Sequence, residues 1–150
     1  MPLPPSVLVL FGAVLITFSA VGCAATPNQG TTVLIGPDLR FTVEVADSEA
    51  ARQLGLSGRA DLPAGTGMLF RYDESARRSY WMAGMLVPID LAWIDDGEVL
   101  GTQTLPPCVN PAADACPTFA SPGPVDTVLE APAGALASVE TGTAVVVSGR

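Results

Sequence analysis

A chain of 150 residues fits one domain and can hide about two-thirds of its unfolded surface around a single core. Fifteen acids face seven arginines with no lysine, and the resulting net charge of −8 argues against nucleic acid and against anionic lipid headgroups as docking partners. No histidine is present, which removes Ser-His-Asp and Cys-His catalysis and any histidine-held zinc or haem.

Val7 to Val21 is an uncharged apolar run of 15 residues. A membrane-spanning helix needs about 20 such residues, so the run suits the apolar region of a secretory signal better. It ends in Ser19-Ala20-Val21-Gly22-Cys23, similar to a bacterial lipobox, although no Lys or Arg precedes the run. Residues 1–22 are therefore expected to be a signal peptide. Cys23 is the expected lipidation site, and 23–32 a polar lipidated tether. Two acyl chains suffice for stable anchoring. The expected localisation is the extracytoplasmic face of the cell membrane, held by the lipid on Cys23.

Residues 33–150 read as a single β domain. Thr31–Ile35 is a strand, and Gly36-Pro37-Asp38 a turn. Leu39 to Asp47 alternates, with Phe41, Val43 and Val45 on one face and Thr42 and Glu44 on the other. Asp47 or Ser48 can cap one short helix that ends at Gly55 or Gly58. Strands follow over 67–72 and 77–82, with a turn at 73–76. Gly84 and Pro88 break the pattern before a strand at 89–94. Asp95-Asp96-Gly97 predicts a hairpin into the strand 98–105. Residues 106–124 read as a long loop, 125–131 as a strand, 135–139 as one helical turn, and 143–149 as the last strand. About eight short strands with regular turn signals predict an all-β sandwich or barrel. Cys108 and Cys116 form an even pair that reads as a disulfide in an oxidising compartment.

Several ordered motifs are similar to those of the domain-of-unknown-function family numbered 192. They are Gly55-Leu56 with Gly58-Arg59, Gly67-Met68-Leu69-Phe70, Tyr80-Trp81-Met82, Pro88-Ile89-Asp90, and Pro107-Cys108 with Cys116-Pro117. The resemblance runs from about Phe41 to Val147 and implies a compact, mainly β domain, often exported, without an established activity. That family usually follows Trp-Met with Lys-Asn-Thr; here Ala83, Gly84 and Met85 stand there.

Arg59 and Asp90 are the best polar pair, readable as a structural ion pair or capping carboxylate, or as an anion-recognising arginine with an orienting acid. Trp81 alternates against Tyr80 and Met82, so one face of that strand points away from the core. Arg59, Trp81 and Asp90 are the ligand-binding candidates. A ligand-binding or partner-binding domain is the leading functional expectation, with an envelope protein or glycan as partner. The alternatives are a hydrolase of envelope glycan or peptide and copper binding through Met68, Met82 and Met85. No cofactor and no metal is expected.

Overall fold

The computed structural model describes residues 30–110 and 112–149. The expected signal peptide, Cys23 and the tether up to residue 29 lie outside the described residues.

β1 (Thr31–Ile35) and β2 (Leu39–Ala46) form an antiparallel hairpin with Ile35 opposite Leu39. Ser48 ends the strand and caps α1 (Glu49–Leu54), its side chain accepting from the Ala51 N–H at 3.2 Å. The helix stops at Gly55, where φ is +51°. It carries the chain from β2 to β3 (Thr66–Ala76), which pairs with β2 in parallel. β4 (Ser79–Trp81) leaves this sheet. β5 (Ile89–Asp95) and β6 (Glu98–Leu105) form the predicted hairpin. Its two turn residues, Asp96 and Gly97, have φ of +48° and +75°. β7 (Thr118–Ala120) pairs only with β4, β8 (Val125–Pro132) lies between β3 and β5, and β9 (Val145–Ser148) pairs with β1.

The seven-stranded sheet has the order β6-β5-β8-β3-β2-β1-β9. It curls until its edges meet at one end. The Val145 N–H donates to the Gly97 carbonyl at 2.7 Å, and the Val99 N–H to the Thr143 carbonyl at 3.0 Å. Of the two expected architectures this is the barrel-like one, and the meeting edges satisfy backbone groups that a flat sheet would expose. Val33, Phe41, Leu69, Ile94, Leu129 and Val145 pack inside the curl. The outer face carries a second apolar cluster around Phe70, Met82, Leu91 and Trp93, covered by α1 and the β4–β7 pair. Burial on both faces explains why every residue from Ile89 to Ile94 is buried.

Three segments differ from expectation. β3 continues through 73–76 as an exposed overhang with a bulge before Ala76, tied down by Ser75 Oγ donating to Asp95 Oδ1 at 2.6 Å. The loop 106–124 contains a 3₁₀ turn (Ala113–Ala115) and β7, which owes its strand character to pairing with β4. Residues 135–139 form tight turns rather than a helical turn.

Candidate functional site

Arg59, Trp81 and Asp90 occupy three different places. Arg59 follows α1 and makes a two-pronged ion pair with Glu44 of β2. Its Nη1 and Nη2 donate to Oε1 and Oε2 at 2.6 and 2.7 Å. The hydrogen bonds hold the Glu44 carboxyl below its usual range and push the guanidinium up. Both residues line a concavity of about 610 Å³ with Thr42, Leu62 and Pro63. An anion reaching Arg59 there would have to displace Glu44 from both prongs.

Asp90 is 3% exposed. Alternation on β5 turns it toward the inside of the curl, opposite Ile89 and Leu91. There Oδ1 accepts from Thr104 Oγ1 at 2.7 Å and Oδ2 from the Leu136 N–H at 2.8 Å. Both oxygens are engaged, so the carboxylate pins the 132–139 turn over the end of the sheet. This is a capping carboxylate under a loop, one of the two readings its sequence context offered.

Trp81 is 51% exposed, whereas its strand neighbours Tyr80 and Met82 are buried. The alternation of β4 therefore turns the indole outward. It stands over a groove of about 340 Å³ between α1 and β4, lined also by Glu49, Arg52, Gln53, Tyr72 and Ser79. One acid and one arginine line this groove, leaving it with no net charge. Two guanidinium groups lie over the Tyr72 ring, Arg78 at 3.8 Å and Arg52 at 5.0 Å from its centroid. Arg52 also donates to the Arg71 carbonyl at 3.0 Å, and Arg78 to the Glu74 carbonyl at 2.7 Å. Beneath, the Tyr72 and Tyr80 hydroxyls meet at 2.8 Å, and Phe70, Tyr80 and Trp93 stack edge to face. The groove wall is thus fixed before any ligand arrives.

Under this groove lies a residue that sequence reasoning missed. Glu130 sits on β8 between Met68 of β3 and Leu91 of β5, in one cross-strand row with the exposed Glu44. It is 6% exposed, and its Oε2 is buried without a hydrogen-bond partner among the described residues. Burial pushes its carboxyl up to about 8. It closes a chamber of about 40 Å³ whose other walls include Gly55, Phe70, Tyr80, Trp81, Ala83 and Met85. The available signal was alternation, because Val128 and Glu130 share a face. A strand-end acid in "VDTVLEAP" nevertheless reads as a solvated rim until its two neighbours are known.

The bend at Ala83–Met85 is clamped from two sides. The Gly58 N–H donates to the Gly84 carbonyl at 2.9 Å, and the Gly84 N–H to the Cys108 carbonyl at 3.1 Å. Gly84 has φ of +74°, and a Cβ there would collide with Ser57 Oγ, so only glycine fits. Cys108 and Cys116 are disulfide-bonded with a Cα separation of 5.9 Å, which anchors that clamp. Met68, Met82 and Met85 are all buried in the outer apolar cluster, the packing role thioethers commonly fill. Among the described residues no group of three Cys, Asp or Glu side chains could hold a metal ion, and no helix is long and apolar enough to cross a membrane.

Two crystal structures share the architecture. A protein of unknown function from Novosphingobium aromaticivorans DSM 12444 is 23% identical with a TM-score of 0.65, over 77% of this chain and 83% of that one. A Sinorhizobium meliloti 1021 protein, for which a role as a transcription regulator has been suggested, is 25% identical with a TM-score of 0.68, over 80% of this chain and 95% of that one. No curated protein matches the sequence. The model of one family, DUF192, described as uncharacterized ACR, matches residues 32–147. That span takes in β1 through most of β9, with the groove, the chamber and the disulfide, and the chain therefore belongs to the DUF192 family.

Proposed function

We propose that this chain is a lipid-anchored extracytoplasmic binding domain whose α1–β4 groove takes an envelope glycan. The observation that carries the reading is Trp81. A large aromatic side chain half exposed over a groove, next to a buried Tyr80 on the same strand, is available for stacking against a sugar ring. A groove lined by one acid and one arginine suits an uncharged ligand. The lipobox-like Ser19 to Cys23 supplies the anchor, and the disulfide agrees with an oxidising compartment. The role suggested for the Sinorhizobium protein does not extend to this chain under our reading, since a net charge of −8 repels phosphate backbones.

The test is calorimetric titration with tetra-N-acetylchitotetraose and cellotetraose, two neutral oligosaccharides. Wild type should bind at least one of them, and Trp81→Ala should abolish that binding while leaving the thermal midpoint nearly unchanged. Binding that survives Trp81→Ala, or no binding by wild type, overturns the glycan reading. For the anchor, Cys23→Ser should move the protein from the membrane fraction to the soluble fraction. Full-length protein that stays on the membrane refutes it.

A hydrolase is the second reading, favoured by Glu130, because a carboxyl kept protonated at neutral pH beside a groove is what a general acid requires. New reducing ends released from either oligosaccharide, and lost in Glu130→Gln, would establish it over simple binding.

A further inference from the structure

We propose that the Glu130 chamber is the inner subsite of the groove and receives one uncharged hydroxyl of a sugar stacked on Trp81. This inference rests on the glycan reading and adds a polar contact to it.

The groove and the chamber share four wall residues, Arg52, Gln53, Tyr80 and Trp81, so the two spaces adjoin. Its volume of about 40 Å³ is close to the roughly 30 Å³ that one water takes in the liquid, so a hydroxyl fits and a sugar ring does not. Gly55 forms part of the wall, and even a Cβ there would stand 3.5 Å from Phe70 and 3.9 Å from Glu130 Oε2. The unpartnered Oε2 is the polar feature a hydroxyl would satisfy.

The walls also select against charge. β3 and β5 present Met68, Phe70 and Leu91 beside Glu130, and the bend presents Ala83 and Met85. The charged or titratable groups facing it are Arg52 from α1 and Tyr80 from β4. Arg52 is already held on the Tyr72 ring and the Arg71 carbonyl, and burial pushes the Tyr80 hydroxyl far up, so it stays neutral. With its own ionisation raised to about 8, Glu130 is an uncharged carboxyl at neutral pH. Its O–H can donate to a ligand oxygen while its carbonyl accepts the ligand's hydroxyl proton. Above that pH a ligand sealing the chamber would strip water from a carboxylate, so affinity should fall about tenfold between pH 7 and pH 9.

The experiment measures binding of tetra-N-acetylchitotetraose and cellotetraose at pH 6, 7, 8 and 9 for wild type, Glu130→Gln and Glu130→Leu. Wild type should lose about tenfold in affinity from pH 7 to pH 9. Glu130→Gln keeps a donor and cannot ionise, so it should bind as wild type does at pH 7 and keep that affinity at pH 9. Glu130→Leu should bind about fivefold or more weakly at every pH. If wild type binds but Glu130→Gln shows the same alkaline loss, or Glu130→Leu binds equally well, the subsite is refuted and the Trp81 groove stands. Tighter wild-type binding at pH 9 than at pH 7 refutes it too, since that sign belongs to a hydroxyl held by the ionised carboxylate rather than by the uncharged carboxyl. No wild-type binding at any pH removes both readings.

Discussion

Replacing Glu130 by Gln tests the buried carboxyl without any ligand. The folded protein ionises Glu130 at about 8, the unfolded chain near 4.5. Between those values the folded state keeps a proton that the unfolded state has released. The stability due to this group is therefore complete below pH 4.5, declines as pH rises through the window, and is level again above 8. At about 1.4 kcal/mol per pH unit, the gap sets a ceiling of about 5 kcal/mol. Relaxation and water entry around the new charge reduce that ceiling, and we expect a loss of about 2–3 kcal/mol. The assay is urea unfolding of wild type and Glu130→Gln at pH 4, 6, 7 and 8.5. The amide brings unpaired groups of its own, equally at every pH, so the readout is how the difference between the two proteins changes with pH. Relative to wild type, Glu130→Gln should gain about 2–3 kcal/mol between pH 4 and pH 8.5. The Glu44–Arg59 pair is exposed and identical in both proteins, so it cancels. Parallel stability curves would refute the argument, because they would show that Glu130 ionises in the folded protein near its ordinary value.

Asp90→Ala should destabilise by about 1–3 kcal/mol in urea unfolding, since it orphans the Leu136 N–H; a change near zero would mean that the 132–139 turn does not depend on that bond. Replacing both Cys108 and Cys116 by Ser should cost about 2–3 kcal/mol, the chain-entropy value for so short a loop, and intact mass with and without reductant should report one bridge in wild type. Ala83→Lys puts an ammonium on a wall of the chamber that Glu130 also lines. It should lower the Glu130 titration seen by carboxyl-carbon NMR and abolish oligosaccharide binding, and an unmoved titration would show that the side chain points elsewhere.

The chain's local signals carried most of the elements. Alternation in Leu39 to Ala46, the Ser48 cap, the Asp96-Gly97 hairpin and the spacing of Cys108 and Cys116 each depend on near neighbours, and each is realised. The same alternation indicated that Trp81 and Tyr80 face opposite ways, and the structure turns Trp81 outward. The family motifs, in order along the chain, led to the same assignment as the match over residues 32–147.

What local sequence could not decide is which strands become neighbours. Asp90 and Glu130 are both acids flanked on each side by apolar residues in their strands, and nothing within a few residues of either tells them apart. The curl of the sheet brings the Leu136 N–H and the Thr104 hydroxyl to Asp90, so that carboxylate is fully bonded. The placement of β8 between β3 and β5 gives Glu130 only Met68 and Leu91 on its flanks, so that carboxyl is left with an unpaired oxygen beside a groove. Sequence composition and periodicity by themselves determined an acidic, histidine-free, mainly β domain in which Tyr80 and Trp81 take opposite faces of one strand, because those properties depend on residue identity and on a two-residue repeat. Only the tertiary structure decided which acid became a structural pin and which became a candidate for chemistry, because hydrogen bonding and desolvation are set by residues far apart in the chain.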